Sequence, residues 1–346
     1  MGKPIRVLVV DDSPFLRHTL TSRLAAAGEI AVVGTAADGV DALARVIELK
    51  PDVVVLDVEM PRMDGLAALQ RIMAECPTPV VMFSALTQRG ARATIQALVR
   101  GAVDFVPKPA ASAGMQGVIA ELVAKIKAAA SVSLQVASLP RVRAGPAAAK
   151  QGARAFRHGD TLIVIGASTG GPRALHWILS ELPGNLPAAV AVVQHMPAGF
   201  TLSLAQRLNE NSALTVEEAT PGRHLEQGLA LLAPGDLHLR FDSAGRAILD
   251  KGPRRNHVRP AVDVTMESAA ELGGPTTVGV VLTGMGQDGT AGARCIRQAG
   301  GKVIAEDPST SVLDGMPRSV VEAGLADQIV PLPEIAARLT SLVKHG

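Results

Sequence analysis

"VIGASTGGPRAL", residues 164–175, carries the reading that decides the fold. A β-branched apolar run stops at Gly166, a serine follows between glycines, and from Pro172 onward the spacing turns helical. A short buried strand that gives way to a glycine-rich turn and then a helix is the unit from which parallel sheets are built. Within it the pattern G-x-S-x-G, residues 166–170, admits two chemistries. It forms either a sharp turn that lifts the Ser168 hydroxyl clear of the sheet, or a loop whose amides cradle a phosphate at the helix N-terminus. On this stretch alone both readings stand.

Downstream, the apolar runs "AAVAVVQH", "LALLAP", "TVGVVLTG" and "GKVIAED" alternate with helical pieces, and a small β-hairpin region is expected near residues 229–249. Upstream, "SVSLQVASLPRVRAGPAAAKQGARAFRH" is rich in Ala, Arg, Gly and Pro without a sustained period, which is linker composition. Ahead of it come five strand-helix units in a row, from "IRVLVVDD" to "VDFVPKP" and the helix after it, which imply a parallel sheet covered on both faces. A chain of 346 residues suits two domains. The expected fold class is α/β throughout: a doubly wound five-stranded domain over residues 1–127, a linker over 128–158, and a Rossmann-like α/β domain over 159–346.

Apolar residues make up 47% of the chain, yet no run approaches the roughly 20 residues that span a bilayer. The N-terminal apolar stretch meets Asp11 and Asp12 and offers no small-residue cleavage site. A cytoplasmic protein without membrane insertion is therefore expected. A net charge of +2 and 2% aromatic residues, with no tyrosine, give little attraction to a polyanion and few platforms for bases. Nucleic acid is not an expected partner, and the basic run "KGPRRNHVRP" (251–260) reads as a solvated loop. Cys76 and Cys295 fall in different halves with no thiol or histidine at metal-site spacing, so both read as reduced and structural.

In an open parallel sheet, functional residues gather at the carboxyl ends of strands where the strand order reverses. Asp11 and Asp12 close the first run and Asp57 the third. Three carboxylates brought together repel one another, and a hard dication relieves this through oxygen ligands; magnesium is the natural ion. Ser84 and Lys108 end two later strands and complete a site for a phosphoryl group, with Asp57 as its acceptor. The Lys108–Pro109 bond is a candidate for a cis peptide.

The set "VDDS", "DVEMPRMDG", "FSA" and "DFVPKP" resembles the signature of response-regulator receiver domains over residues 4–127. The resemblance implies a flavodoxin-like fold and phosphotransfer from a histidine kinase to Asp57. It also implies Mg2+ held by Asp11, Asp12, Asp57 and the backbone carbonyl of Glu59, with Ser84 and Lys108 sensing the phosphate. For Phe105 two readings stand, the family's aromatic switch residue or a core residue.

Context separates the two readings of Ser168. A dinucleotide loop calls for an acidic residue at the end of the next strand, whereas here that strand ends in Gln194-His195. A neutral imidazole takes a serine proton during attack and returns it to the leaving group. "TVGVVLTGMGQDGTAG" supplies Asp288 in a glycine-rich loop to orient that imidazole; Asp307, after "KVIAE", is the competing candidate and lacks such glycines. The order Ser168, His195, Asp288 differs from that of the α/β-hydrolases, so a different fold is expected.

"GASTGGP", "QHMP" followed by Phe200, "RPAVD" and "LTGMGQDG" resemble the catalytic domain of protein-glutamate methylesterases. With a receiver in front, the resemblance covers almost the whole chain. It implies hydrolysis of glutamate methyl esters on methyl-accepting chemoreceptors, with methanol released, and deamidation of particular receptor glutamines. It needs no cofactor for the ester reaction and gives Ser168, His195 and Asp288 the roles of nucleophile, base and orienting acid. Backbone amides near the serine or in "TGMG" would stabilise the oxyanion, and the Met285 amide is a candidate donor beside its alternative as a packed loop residue. Thr169 and His257 are either cleft or structural residues, and Met196 packs. A receiver joined to a hydrolase leads to the expectation that it inhibits the catalytic domain until Asp57 is phosphorylated. A binding module with an inactive hydrolase domain and a DNA-binding regulator are the readings from other classes.

Overall fold

The computed structural model describes residues 3–109, 114–132, 154–157 and 159–344. The chain divides into two compact units, Met1–Ser138 and Leu139–Gly346.

The first unit alternates strand and helix: β1 (Ile5–Val10), α1 (Pro14–Ala25), β2 (Ile30–Ala36), α2 (Gly39–Leu49), β3 (Val53–Asp57), α3 (Gly65–Glu75), β4 (Val80–Ser84), α4 (Gln88–Val99), β5 (Asp104–Pro107) and α5 (Met115–Ala130). Its strands form one sheet in the order β2-β1-β3-β4-β5, parallel throughout. Every residue of β3 and β4 is buried, which is why both read as unbroken apolar runs and not as alternation. Side chains fix the helix starts: Ser13, Asp38, Asp64 and Thr87 each accept an amide in the first turn of α1, α2, α3 and α4. Each such cap stabilises its helix by about 1 kcal/mol. Strand order reverses between β1 and β3, so the switch point lies where Asp11, Asp12 and Asp57 emerge.

The second unit begins earlier than residue 159. Strand β6 (Arg154–Ala155) pairs antiparallel with β10 (Glu226–Gln227), the Phe156 amide donates to the Leu225 carbonyl, and the Phe156 ring packs on this unit's core. At the other edge of the expected linker, α5 continues to Ala130. Most of the rest of residues 128–158 lies outside the described residues.

The main sheet uses β7 (Thr161–Ala167), β8 (Ala188–Gln194), β9 (Thr215–Glu218), β11 (Leu229–Leu232), β14 (Thr277–Val281), β15 (Lys302–Glu306) and β16 (Gln328–Val330). Their order is β16-β15-β14-β7-β8-β11-β9, and every neighbouring pair is parallel. The helices are α6 (Gly171–Glu181), α7 (Phe200–Asn211), α8 (Val262–Gly273), α9 (Thr290–Gln298), α10 (Gly315–Glu322) and α11 (Leu332–Lys344). Helix α6 packs with α7 and α11, while α8 packs with α9. Consecutive residues Leu162, Ile163, Val164 and Ile165 are all fully buried, so both faces of β7 are covered.

The hairpin expected near residues 229–249 is β12 (His238–Phe241) with β13 (Ala247–Asp250), and the apolar run Leu229–Leu232 joins the main sheet between β8 and β9. One local expectation is corrected: the Lys108–Pro109 peptide is trans, and among the described residues the cis bond lies at Arg259–Pro260. Among the described residues no helix is long and apolar enough to cross a membrane.

Candidate functional site

Each unit gathers reactive side chains at the carboxyl ends of its strands. In the first, carboxylate oxygens of Asp11, Asp12 and Asp57 lie within 4.8 Å of one another. The Lys108 ammonium, reaching in from the end of β5, is 2.8 Å from both Asp11 Oδ2 and Asp57 Oδ2. Burial pushes the Asp57 carboxyl up to about 6, against the pull of Lys108. Three carboxylates against one ammonium leave a deficit of two positive charges, and all the donors are hard oxygens. That donor set fits a magnesium ion. Glu59, two residues past β3, is exposed, with its carboxylate 3.7 Å from Arg89. Ser84 is fully buried at the end of β4, its hydroxyl 3.3 Å from the Gly90 carbonyl, and its own carbonyl accepts the Lys108 amide. Phe105 is 2% exposed with the Lys125 ammonium 5.2 Å from its ring centroid, the position of a core residue.

In the second unit the paired register sets Ser168 and His195 at neighbouring strand ends. Ala167 of β7 pairs with Gln194 of β8, so the next residue of each strand emerges side by side, and the His195 amide donates to the Ala167 carbonyl. The turn after Ser168 needs glycine: Gly170 has φ +79° and caps α6. On the far side β14 delivers the 283–289 loop, where the Thr283 carbonyl accepts the Ser168 amide at 3.0 Å. A Cβ on Gly284 would sit 2.7 Å from that of Ser168, so only glycine permits this approach.

Asp288 is 2% exposed and accepts the His195 ring nitrogen Nε2 at 2.7 Å through Oδ2. The same oxygen accepts the Val262 amide, and Oδ1 accepts the amides of Asp263 and Gly289 and the Asn256 side chain. Val262 and Asp263 open α8, so the carboxylate sits on a helix N-terminus. Burial works to raise its proton affinity, but the His195 bond and these amides outweigh burial and hold Asp288 below the usual carboxylate range. With Nε2 committed to Asp288, the other ring nitrogen, Nδ1, is the one left for a proton acceptor role.

Met285 is half exposed, next to Gly284, whose own amide is spent on the Leu313 carbonyl. Thr169 is buried, with its carbonyl accepting the Thr283 hydroxyl, and Met196 is packed. His257 is exposed on a turn. Asp307 spends its carboxylate on the Ser309 amide in its own turn.

These two arrangements belong to known families. The sequence matches the CheB methylesterase model over residues 163–339 and the response regulator receiver domain model over residues 7–120. The chain belongs to the CheB methylesterase family. A protein-glutamate methylesterase/protein-glutamine glutaminase of Symbiobacterium thermophilum is 52% identical, the match covering 99% of this chain and 98% of that one. The protein of the same name from Thermotoga maritima is 46% identical over 98% of each. Among solved structures, the Thermotoga maritima CheB methylesterase catalytic domain is 50% identical, covering 53% of this chain and 99% of that one with a TM-score of 0.52.

Sequence reading missed three contributors to the CheB-like unit. Asp263 of "RPAVD" accepts the amides of Gly289 and Gly292 and so ties the Asp288 loop to α8. Asn256 lies inside the basic run read as a solvated loop. Glu306, the last residue of β15, is fully buried, and its carboxylate accepts the Thr283 amide at 2.8 Å and the Thr310 hydroxyl at 3.1 Å. It therefore supports the residue on which the Ser168 amide rests. Burial pushes the Glu306 carboxyl up to about 7 from 4.5. A folded-state value above the unfolded one means that its contribution is complete below about pH 4.5 and is lost as pH rises through about 7. Glu306→Gln, which keeps an acceptor and carries no charge, is expected to be more stable than the parent above that window, by up to about 3 kcal/mol. Denaturant titrations at about pH 5 and pH 8.5 check this; an equal stability difference at both pH values contradicts it.

Proposed function

We propose that the protein is a protein-glutamate methylesterase governed by phosphorylation: it hydrolyses glutamate γ-methyl esters on chemoreceptors, releasing methanol, and deamidates particular receptor glutamines. The observation that carries the reading is the His195–Asp288 hydrogen bond at the strand ends that also present Ser168. Ser168 is the nucleophile, His195 Nδ1 takes its proton, and Asp288 holds the imidazole with Nε2–H toward itself. The Ser168 oxygen bonds to the ester carbonyl carbon, and the oxyanion is stabilised by backbone amides, the Met285 amide being the assigned donor. Methanol departs with the proton returned by His195, and water repeats the sequence on the acyl-enzyme.

In the receiver unit, Asp57 is the phosphoryl acceptor, with a histidine kinase as donor. Asp11, Asp12, Asp57 and the Glu59 carbonyl would hold magnesium, which when bound offsets the charge of phosphoryl oxygens. Ser84 and Lys108 bind the phosphoryl group, and the charge it adds relieves the receiver's inhibition of the esterase.

The test is methanol release by the full chain from a methylated receptor fragment, with and without a small phosphodonor and magnesium. Release that rises several-fold with the donor, and does not rise in Asp57→Asn, is the expected result. No methanol in either condition would favour the reading of this unit as a binding module with an inactive hydrolase centre.

A further inference from the structure

The hydrogen bonds of Asn256 place a second device behind Asp288. Asn256 and His257 have φ of +51° and +64°, and Arg255 and Val258 on either side exchange backbone hydrogen bonds at 3.1 and 3.0 Å. Two consecutive left-handed residues between paired neighbours make a tight hairpin turn in which asparagine is among the favoured residues. The turn itself is exposed, yet the Asn256 side chain reaches inward. Its Nδ2 donates to Asp288 Oδ1 at 3.0 Å and to Asp263 Oδ2 at 2.9 Å. One amide group thus spends both of its hydrogens on two neighbouring carboxylates.

Those carboxylates repel each other. Burial and the nearby Asp288 charge raise the proton affinity of Asp263. The other titratable or charged groups facing the pair are His195, on Asp288, and Arg255, whose guanidinium is 4.0 Å from Asp263 but hydrogen-bonded to Glu267. A neutral side chain with two N–H donors offsets the repulsion between the two carboxylates at this spacing without adding a charge near His195. Aspartate, of the same size, has no donor when ionised.

We infer that Asn256 is a positioning residue for ester hydrolysis: it fixes the plane of the Asp288 carboxylate, so that Oδ2 faces His195, by bridging Asp288 to Asp263. The inference rests on the esterase reading. Its effect passes through Asp288 and not through contact with the ester.

Asn256→Gly and Asn256→Asp in the full chain test it. Glycine accepts the left-handed conformation and keeps the turn, so it removes the amide alone. With the methylated receptor fragment, kcat of the glycine variant is expected to fall about 10- to 100-fold with little change in KM, the range one hydrogen bond to a charged group supplies. In the aspartate variant a third carboxylate raises the proton affinity of the set, and the acid limb of the kcat/KM profile moves to higher pH. A proton NMR measurement of the low-field imidazole N–H of His195, made well below the melting temperature of each variant, gives a readout independent of turnover: the resonance shifts in both variants. A parent that releases no methanol faults the esterase reading, and the NMR comparison still decides the positioning role. If the glycine variant keeps the parent's kcat, pH profile and His195 resonance, Asn256 only shapes its turn and the inference is overturned.

Discussion

Ser168→Ala is expected to lower kcat for methanol release by at least about 10⁴-fold with the fold undisturbed. The separation is clean because Ser168 is anchored through its backbone N–H and C=O. Its amide donates to the Thr283 carbonyl, and its carbonyl accepts the Gly171 amide and the Gln194 side chain. Alanine keeps all three and keeps the Cβ that lies against Gly284. Only the hydroxyl is lost, so the melting temperature should stay within a degree or two of the parent's. Combining this change with His195→Ala should cost little more than either alone, because nucleophile and base act as one unit. Methanol release and thermal melts of the three variants check both points. If the alanine variant retained even a tenth of the activity, water would be attacking the ester directly, with Ser168 a bystander.

The residues legible in the sequence are those whose role is set by their own strand. Asp57, Ser84, Ser168 and His195 each stand at or just past the end of a run buried on both faces, so the fold and that part of the site were read together. What escaped depends on partners far along the chain. Asn256 meets Asp288 across 32 positions, and nothing within "RRNHV" distinguishes an asparagine that turns inward from one in water. Glu306 is a buried carboxylate ending "VIAE", beside the half-buried Asp307 that attracted attention as a rival orienting acid; which of two adjacent acids faces inward is settled by strand register and not by composition.

The second large effect is expected for Asp288→Asn, and its direction follows from counting donors. In the parent, Oδ2 accepts from His195 and the Val262 amide, while Oδ1 accepts from Asn256, Asp263 and Gly289. An asparagine must put an NH2 group on one side. On the Oδ1 side it would oppose three donors; on the Oδ2 side it opposes the Val262 amide and His195, so the latter orientation costs less. The amide then donates to His195 Nε2, which forces the ring proton onto Nδ1 and removes the lone pair that the Ser168 proton needs. A loss of about 10⁴-fold in kcat is expected, as for a serine hydrolase whose imidazole is locked in the wrong tautomer. Asp288→Ala leaves the imidazole free to carry its proton on either nitrogen, so it should be no slower than the asparagine variant despite removing every acceptor. Asp307→Asn should leave kcat unchanged, since that carboxylate serves its own turn. Labelling of Ser168 by a fluorophosphonate reads the same step without the receptor and should slow in parallel. An asparagine variant within tenfold of the parent, or much faster than the alanine variant, would mean that the Asp288 hydrogen bond does not set the imidazole tautomer, and the orienting acid would have to be sought elsewhere.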